Sequence, residues 1–140
     1  AGGRVVVRAH ARGRRRAWVT LLSSESYLRG VQCLARALRM VGSRYALIVM
    51  VTGSVSEQTV LCLRREGVEV RREEYVYLAR GDRAQYACAH FADCWTKLRA
   101  WAWEDCYQLC YLDADMLPLR NMDELLHDET LPVGKRIAAV

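Results

Sequence analysis

Two aspartates stand two residues apart at the end of an apolar stretch, in the segment YLDADM. The stretch before them, residues 107 to 112, predicts a buried strand. Residues i and i+2 of an extended backbone point the same way, so we expect Asp113 and Asp115 to face one point beyond the strand end. Carboxylates that close repel unless one gains a proton or both share a cation, and the nearest basic residue that follows is Arg120.

A hard divalent cation, Mn²⁺ or Mg²⁺, prefers such oxygen ligands. An ion held by few carboxylates takes its other ligands from water and substrate phosphates. The corresponding chemistry is the departure of a nucleoside diphosphate, with the metal as Lewis acid on the leaving group. A pair of aspartates also arises by chance in a solvated loop, and the two residues alone leave this alternative open.

The elements that must position these carboxylates follow from hydrophobic periodicity. Strands are predicted at residues 17–22, 45–52, 69–76 and 107–112, with a further strand beginning at 136. Helices are predicted at residues 27–41, 54–65, 95–105 and 121–126. Ser54 and Glu57 match a capping box, Asn121 is a helix cap, and Gly42 and Gly67 follow helix ends.

Strands that alternate with helices predict an α/β fold, with a mostly parallel sheet and helices on both faces. Ligands of such sheets bind beyond the carboxyl ends of the strands. Two polar junctions lie at such ends, LLSSESY after the first strand and LDADM after the fourth.

The charge of +5 is concentrated in residues 1–16, which hold six of the 21 basic residues and no acidic one. The rest, with 15 basic and 16 acidic residues, is nearly neutral. We predict a disordered tail for residues 1–16, with a nucleic-acid-binding arm or a targeting segment as alternatives. The longest apolar run in the remainder, residues 46–51, is far too short to span a bilayer.

The six cysteines contain no C-x-x-C pair. We interpret Cys33, Cys62 and Cys110 as buried thiols of a reducing compartment, which predicts a cytoplasmic protein. Cys88, His90 and Cys94 lack a fourth ligand and have irregular spacing, so a zinc site there is disfavoured.

Four blocks of sequence resemble a known family in order: VTLLSSESYLRGVQCLARALR, YALIVMVTGSVSE, TKLRAW and YLDADMLPLRNMDELL. They are similar to the donor-binding half of glycosyltransferase family 8, in the branch with glycogenin and galactinol synthase. The stretches EGVEVRREEYV and YACAHFADCWTKLRAW are closer to galactinol synthase. The resemblance implies a GT-A type, Rossmann-like fold, with residues 17–140 as the N-terminal nucleotide-sugar-binding part. It also implies transfer of a hexose from a UDP-sugar to an acceptor hydroxyl with retention, with Mn²⁺ as the usual metal.

The resemblance also implies roles for individual residues. Asp113 and Asp115 would be metal ligands and, with Lys97, catalytic; Tyr27 would stack on uracil. The implied nucleotide-binding residues are Leu21, Ser23, Ser24, Tyr27, Lys97, Asp113, Ala114 and Asp115. The residues themselves leave other roles open: Ser23 and Ser24 as helix caps, Tyr27 as an edge of the core, and Lys97 as a solvated helix lysine.

Two departures from the family pattern bear on function. Ser24 and Glu25 stand where relatives often carry Asn or Asp, and His10, His90 and His127 match no position of the later metal-binding histidine. The absence of the later motifs predicts a fragment. One alternative to the transferase function is a catalytically inactive remnant that at most binds UDP. A nucleic-acid-binding protein is the other, and the near-neutral body argues against it. The acceptor stays open among an inositol, a protein tyrosine and a glycan.

Overall fold

The computed structural model describes residues 5–8, 15–76, 95–127 and 137–139, the first and last of these ranges in backbone only. Its strands and α-helices, in chain order, are β1 (Val5–Arg8), β2 (Arg15–Leu22), α1 (Leu28–Met40), β3 (Ala46–Val51), α2 (Glu57–Arg65), β4 (Glu69–Arg72), β5 (Cys106–Tyr111) and β6 (Ile137–Ala139). Short 3₁₀ helices lie at Glu25–Tyr27, Lys97–Ala102 and Asp123–Leu126.

The strands form one mixed sheet in the order β4-β3-β2-β5-β1-β6. Strands β4, β3, β2 and β5 are parallel, whereas β1 pairs antiparallel with both β5 and β6. The predicted α/β fold with a mostly parallel sheet is thereby confirmed. The chain proceeds from β2 outward to β3 and β4, then returns to the other side of β2 for β5. The order of strands therefore reverses between β2 and β5, the place where open α/β sheets bind ligands.

The two faces of the sheet are covered by different segments, because right-handed crossovers put α1 and α2 on one face and the return to β5 on the other. Trp18 and Leu22 of β2 point toward α1 and α2 and are fully buried with Leu34 and Leu63. The opposite side of β2 packs against the segment that ends at Trp103. Helical segments thus cover both faces, as predicted.

The start of α2 differs from its prediction. Ser56, not Ser54, caps the helix, and its hydroxyl accepts a hydrogen bond of 3.2 Å from the Thr59 N–H. The Ser54 hydroxyl donates to the Ser23 carbonyl at 2.5 Å. The Ser54 side chain, which the local pattern predicts as the helix cap, therefore bonds to a residue distant in sequence. The predicted helix stops are confirmed, since Gly42 and Gly67 have φ of 71° and 77°.

The predicted helices at 95–105 and 121–126 form mainly 3₁₀ turns. In the first, Trp103 fixes the segment to β4, because its indole N–H donates to Glu73 at 2.7 Å and the Arg71 guanidinium lies 4.3 Å from its ring. In the second, the N-cap is Met122 and not Asn121 as predicted; Asn121 lies one residue earlier and accepts from the Asp123 N–H at 2.8 Å. Side-chain contacts thus hold these two segments in place as 3₁₀ turns instead of α-helices.

Part of the basic segment at residues 1–16 is strand. Val5–Arg8 lies between β5 and β6, and β2 begins at Arg15 instead of Ala17. The prediction of disorder was wrong for these residues: β-branched valines favour a strand, and the open side of β5 supplies a partner for their backbone. Residues 1–4 and 9–14 lie outside the described part of the chain.

The cysteine predictions have mixed outcomes. Cys106 and Cys110 are buried in the sheet, Cys62 is half-buried, and Cys33 is exposed, so the prediction of burial was wrong for Cys33. Its position falls on the outer side of α1, opposite the buried stripe. Cys88, His90 and Cys94 lie outside the described residues. No helix that the structure describes is long and apolar enough to cross a membrane.

The ends of the helices give a direct test of this fold. We expect Gly67→Ala to lower the free energy of unfolding by about 1 kcal/mol, because a left-handed backbone is costly for a residue with a Cβ. Gly53→Ala is the control, since a methyl group there also meets open space and the backbone is not left-handed. Urea unfolding of both variants measures the difference, and equal stabilities would contradict the assigned helix end.

Candidate functional site

The two aspartates lie in a turn just past β5. Strand β5 ends at Tyr111, and the Met116 N–H donates to the Asp113 carbonyl at 3.1 Å. We call residues 113–116 the aspartate turn. The expectation that Asp113 and Asp115 share one side of an extended backbone was therefore wrong, because this hydrogen bond bends the chain before the second aspartate. The turn, not the pleat of a strand, sets the directions of the two carboxylates.

Lys97 contacts the aspartate turn directly. Its ammonium nitrogen donates to Asp113 Oδ1 at 2.7 Å and lies 4.8 Å from the centre of the Tyr111 ring. The side chains of Lys97 and Asp113 are 34% and 27% exposed, so solvent screens the pair and its contribution to stability is small. What the pair provides is position, since it holds one carboxylate oxygen and leaves the other without a bond to any residue that the structure describes. The partner is basic but lies 16 residues earlier, so it was not apparent from the local sequence.

Asp115 is exposed and makes no side-chain hydrogen bond or ion pair with another residue that the structure describes. Across the described ranges, no three His, Cys, Asp or Glu side chains are grouped to hold a metal ion. The carboxylates of Asp113 and Asp115 alone do not supply all the ligands that a metal ion needs. They fit a hard divalent ion that completes its coordination with water and phosphate oxygens.

The first turn of α1 lies against the aspartate turn. A Cβ added at Gly30 would lie only 2.6 Å from the Ala114 carbonyl oxygen. The two elements therefore approach each other more closely than any larger residue at position 30 permits. The sequence offered one signal, a glycine near the start of a strongly amphipathic helix, where it costs stability.

The loop that follows β2 leaves the same edge of the sheet, since Val19 of β2 pairs with Tyr111 of β5. Leu21 is only 7% exposed, so its side chain belongs to the core. The Ser24 hydroxyl caps the 3₁₀ helix by accepting from the Ser26 N–H at 3.4 Å, one of the roles left open by the sequence. Tyr27 ends this 3₁₀ helix and is 44% exposed, which makes its ring available to a ligand.

Hydroxyl groups connect this loop to the ends of β3 and β4. Ser54 and Thr52 both donate to the Ser23 carbonyl, at 2.5 and 3.5 Å. The Tyr75 hydroxyl donates to Thr52 at 3.0 Å and lies 3.2 Å from Ser54. Side chains that follow β3 and β4 thereby fix the loop after β2 beside the switch point.

Glu25 makes a second connection, to the start of α2. Its carboxylate accepts from the Thr59 hydroxyl at 2.5 Å and from the Ser56 N–H at 2.7 Å. These hydrogen bonds, that of Thr59 first, hold the pKa of Glu25 below its ordinary value, because they stabilise the charged form. Glu25 thus has a structural role at the position where the family pattern suggested Asn or Asp.

Comparisons with known proteins agree with the motif blocks. No protein-family profile matches the chain. Galactinol synthase 4 of Arabidopsis thaliana is 38% identical over 119 residues, which are 84% of this chain and 35% of that protein. Galactinol synthase 1 of Ajuga reptans is 36% identical over 117 residues, or 83% of this chain and 35% of the relative. Galactinol synthase 2 of Arabidopsis thaliana is 33% identical over 137 residues, which are 97% of this chain and 40% of that protein.

The chain is homologous to part of the galactinol synthases of glycosyltransferase family 8. The family resemblance predicted from the sequence is confirmed. The chain spans little more than a third of the length of these relatives. The homologous part includes a sheet with Rossmann-like strand order, and the aspartate turn lies at its switch point.

The hydrogen bonds between Glu25 and the start of α2 are testable by titration. In Thr59→Val we expect the pKa of Glu25 to rise toward its ordinary value, because the largest stabilising hydrogen bond is lost. With a lowered pKa, Glu25 contributes stability above its ordinary pKa, and that contribution disappears as pH falls through the lowered value. NMR titration of the Glu25 carboxyl carbon measures the change. Ser26→Ala, which removes a neighbouring hydroxyl that bonds to Ser24, is the control. An unaltered pKa in Thr59→Val would contradict the assigned bond.

Proposed function

We propose that this chain is the donor-binding part of a hexosyltransferase that uses a UDP-sugar. The observation that carries the proposal is the position of the aspartate turn. It follows β5 at the switch point of the sheet, in a chain homologous to galactinol synthases. The name of these relatives indicates formation of galactinol, which makes sugar transfer the first function to test here.

The uridine part of the donor binds, in this proposal, along the loop after β2. Tyr27 offers an exposed ring on which uracil stacks. The hydroxyl of Ser24 and the backbone of Ser23 lie on this loop, and the backbone of Leu21 lies near the end of β2 just before it. These groups are the proposed hydrogen-bonding partners of the nucleotide. Because Ser54, Thr52 and Glu25 already hold this loop in place, little ordering is needed when the nucleotide binds.

The diphosphate binds at the aspartate turn. We propose Asp113 and Asp115 as ligands of Mn²⁺ or Mg²⁺, and the backbone of Ala114 as a neighbour of the ribose and phosphates. When bound, the ion supplies Lewis-acid stabilisation of the charge on the leaving diphosphate. Lys97 approaches from the other side of Asp113, and its ammonium group carries further N–H donors that can reach a phosphate oxygen.

The proposed reaction exchanges one bond at the anomeric carbon of the sugar. The bond between this carbon and the β-phosphate oxygen breaks, and UDP leaves with the electron pair. The acceptor hydroxyl oxygen bonds to the same carbon, on the face that UDP leaves, and its proton passes to the departing β-phosphate oxygen. Lys97 stabilises the negative charge of the departing UDP. An inositol, a protein tyrosine and a glycan are the acceptor classes to compare.

The other functions considered from the sequence are less favoured. A nucleic-acid-binding arm would require a free basic tail, yet Val5–Arg8 is paired on both sides within the sheet. An inactive remnant would keep UDP binding without turnover. Release of UDP by this chain in the presence of a UDP-hexose and an acceptor separates the remnant from the transferase.

Binding of UDP is the first test of the proposal. We expect UDP to bind in the presence of Mn²⁺, and Asp115→Ala to weaken this binding by more than about tenfold, because loss of a metal ligand costs at least as much as loss of its supporting residues. Isothermal titration with Mn²⁺ and then with a chelator provides the measurement. Glu104→Ala, which removes another exposed acidic residue beyond the 3₁₀ helix, should bind UDP like the unaltered chain. A folded chain that binds no UDP with Mn²⁺ would refute the proposal.

The uracil contact requires a separate test. We expect Tyr27→Ala to weaken UDP binding by about 1 to 3 kcal/mol, the usual contribution of an aromatic ring stacked on a base, while Tyr27→Phe retains most of it. Trp101→Ala is the control, since Trp101 is 42% exposed and Tyr27 44%. Mn²⁺-dependent binding of UDP and of inorganic diphosphate is compared for each variant. Equal losses for both ligands would show that Tyr27 does not contact the base.

A further inference from the structure

Gly30 makes an unusually close contact with the aspartate turn. It is the third residue of α1, and a Cβ at this position would meet the Ala114 carbonyl oxygen at 2.6 Å and the carbonyl carbon at 3.4 Å. Carbon and oxygen atoms approach to about 3.3 Å even in favourable contacts. A methyl group at position 30 therefore requires a displacement of about 0.7 Å.

Position 30 requires glycine because a Cβ has no room there, and not because of the backbone conformation. Gly42 and Gly67 have left-handed backbones and nothing within 4 Å of an added Cβ. Gly30 has the opposite combination, a helical backbone that any residue adopts and a crowded Cβ position. Alanine has a much higher helix propensity than glycine. The contact with Ala114 is thus the reason that position 30 requires glycine.

The helix cannot easily move away to make room. Val31 and Leu34, just after Gly30, are fully buried against the sheet. The aspartate turn is the more exposed partner in this contact, since Asp115 is exposed and the Lys97–Asp113 pair is accessible to solvent. A displacement at Ala114 moves both neighbouring carboxylates, because this residue lies between them.

We propose that Gly30 is a positioning residue for the aspartate turn. It allows the turn to lie directly on the first turn of α1, while Lys97 holds Asp113 from the other side. Together the two contacts fix where the carboxylates of Asp113 and Asp115 meet a divalent cation and the diphosphate. This inference rests on the proposed function and adds a residue that touches neither cation nor nucleotide.

Gly30→Ala tests the inference, with Gly53→Ala as the matched control at a position with open space. We expect Gly30→Ala to bind Mn²⁺ and Mn²⁺-dependent UDP about 10 to 100 times more weakly, the usual effect of disturbing residues that support a metal ligand. Electron paramagnetic resonance of free Mn²⁺ and titration with UDP measure the two affinities. Thermal unfolding of the same samples measures stability. Gly53→Ala should match the unaltered chain in all three measurements.

A structural readout separates this inference from the proposed function. In ¹⁵N spectra without ligand, Gly30→Ala should shift the amide signals of Asp115 and Met116 more than signals on the far side of α1. If the unaltered chain binds no UDP, the proposed function fails, and these shifts still decide whether Gly30 positions the turn. Unshifted signals, or affinities equal to those of Gly53→Ala, would overturn the inference.

A double variant covers the case in which Gly30→Ala is strongly destabilised. Ala114→Gly gives the turn more backbone freedom, which lets the carbonyl at position 114 move away from the new methyl group. We expect Gly30→Ala/Ala114→Gly to recover stability while UDP affinity stays well below that of Ala114→Gly alone. Recovery of both quantities would show that Gly30 serves packing only, and the inference would be rejected.

Discussion

The parallel pairing of β2 with β3 on one side and β5 on the other is the constraint on which the other elements depend. Residues 17–22 are buried on both faces, and both hydrophobic clusters of the core include residues of this strand. Because the chain leaves β2 first toward β3 and later returns for β5, two loops emerge side by side from the same edge. One carries Tyr27 and the other the aspartate turn, and their proximity is a consequence of strand order.

The sequence predicted those features that depend on local pattern. The parallel strands, the buried stripe of α1, and the glycines after α1 and α2 all follow from periodicity and backbone preference. The features that it did not predict depend on partners distant in the chain. Ser54 hydrogen-bonds to the loop after β2 instead of capping α2, and Lys97 pairs with Asp113. The aspartate turn is a local exception, since its closing hydrogen bond competes with an extended backbone that the preceding apolar run favours.

The candidate site combines groups that are held firmly with groups that remain free. Glu25 and the hydroxyl groups around Ser23 use their hydrogen bonds within the protein and so give the first loop its shape. Asp115 and the ring of Tyr27 stay exposed. Such a division suits recognition of a charged nucleotide, because the supporting residues bear the cost of ordering before the ligand arrives.

The antiparallel strand β1 has a consequence for the order in which the protein folds. Val5 pairs with Tyr111 and with Ala139, so the first strand waits for partners made roughly a hundred residues later. The parallel unit of β2, β3 and β4 has close neighbours along the chain and can assemble before them. Contacts of such long range close slowly, because a large loop must be ordered first. During synthesis β1 is therefore the element most exposed to pairing with the wrong chain.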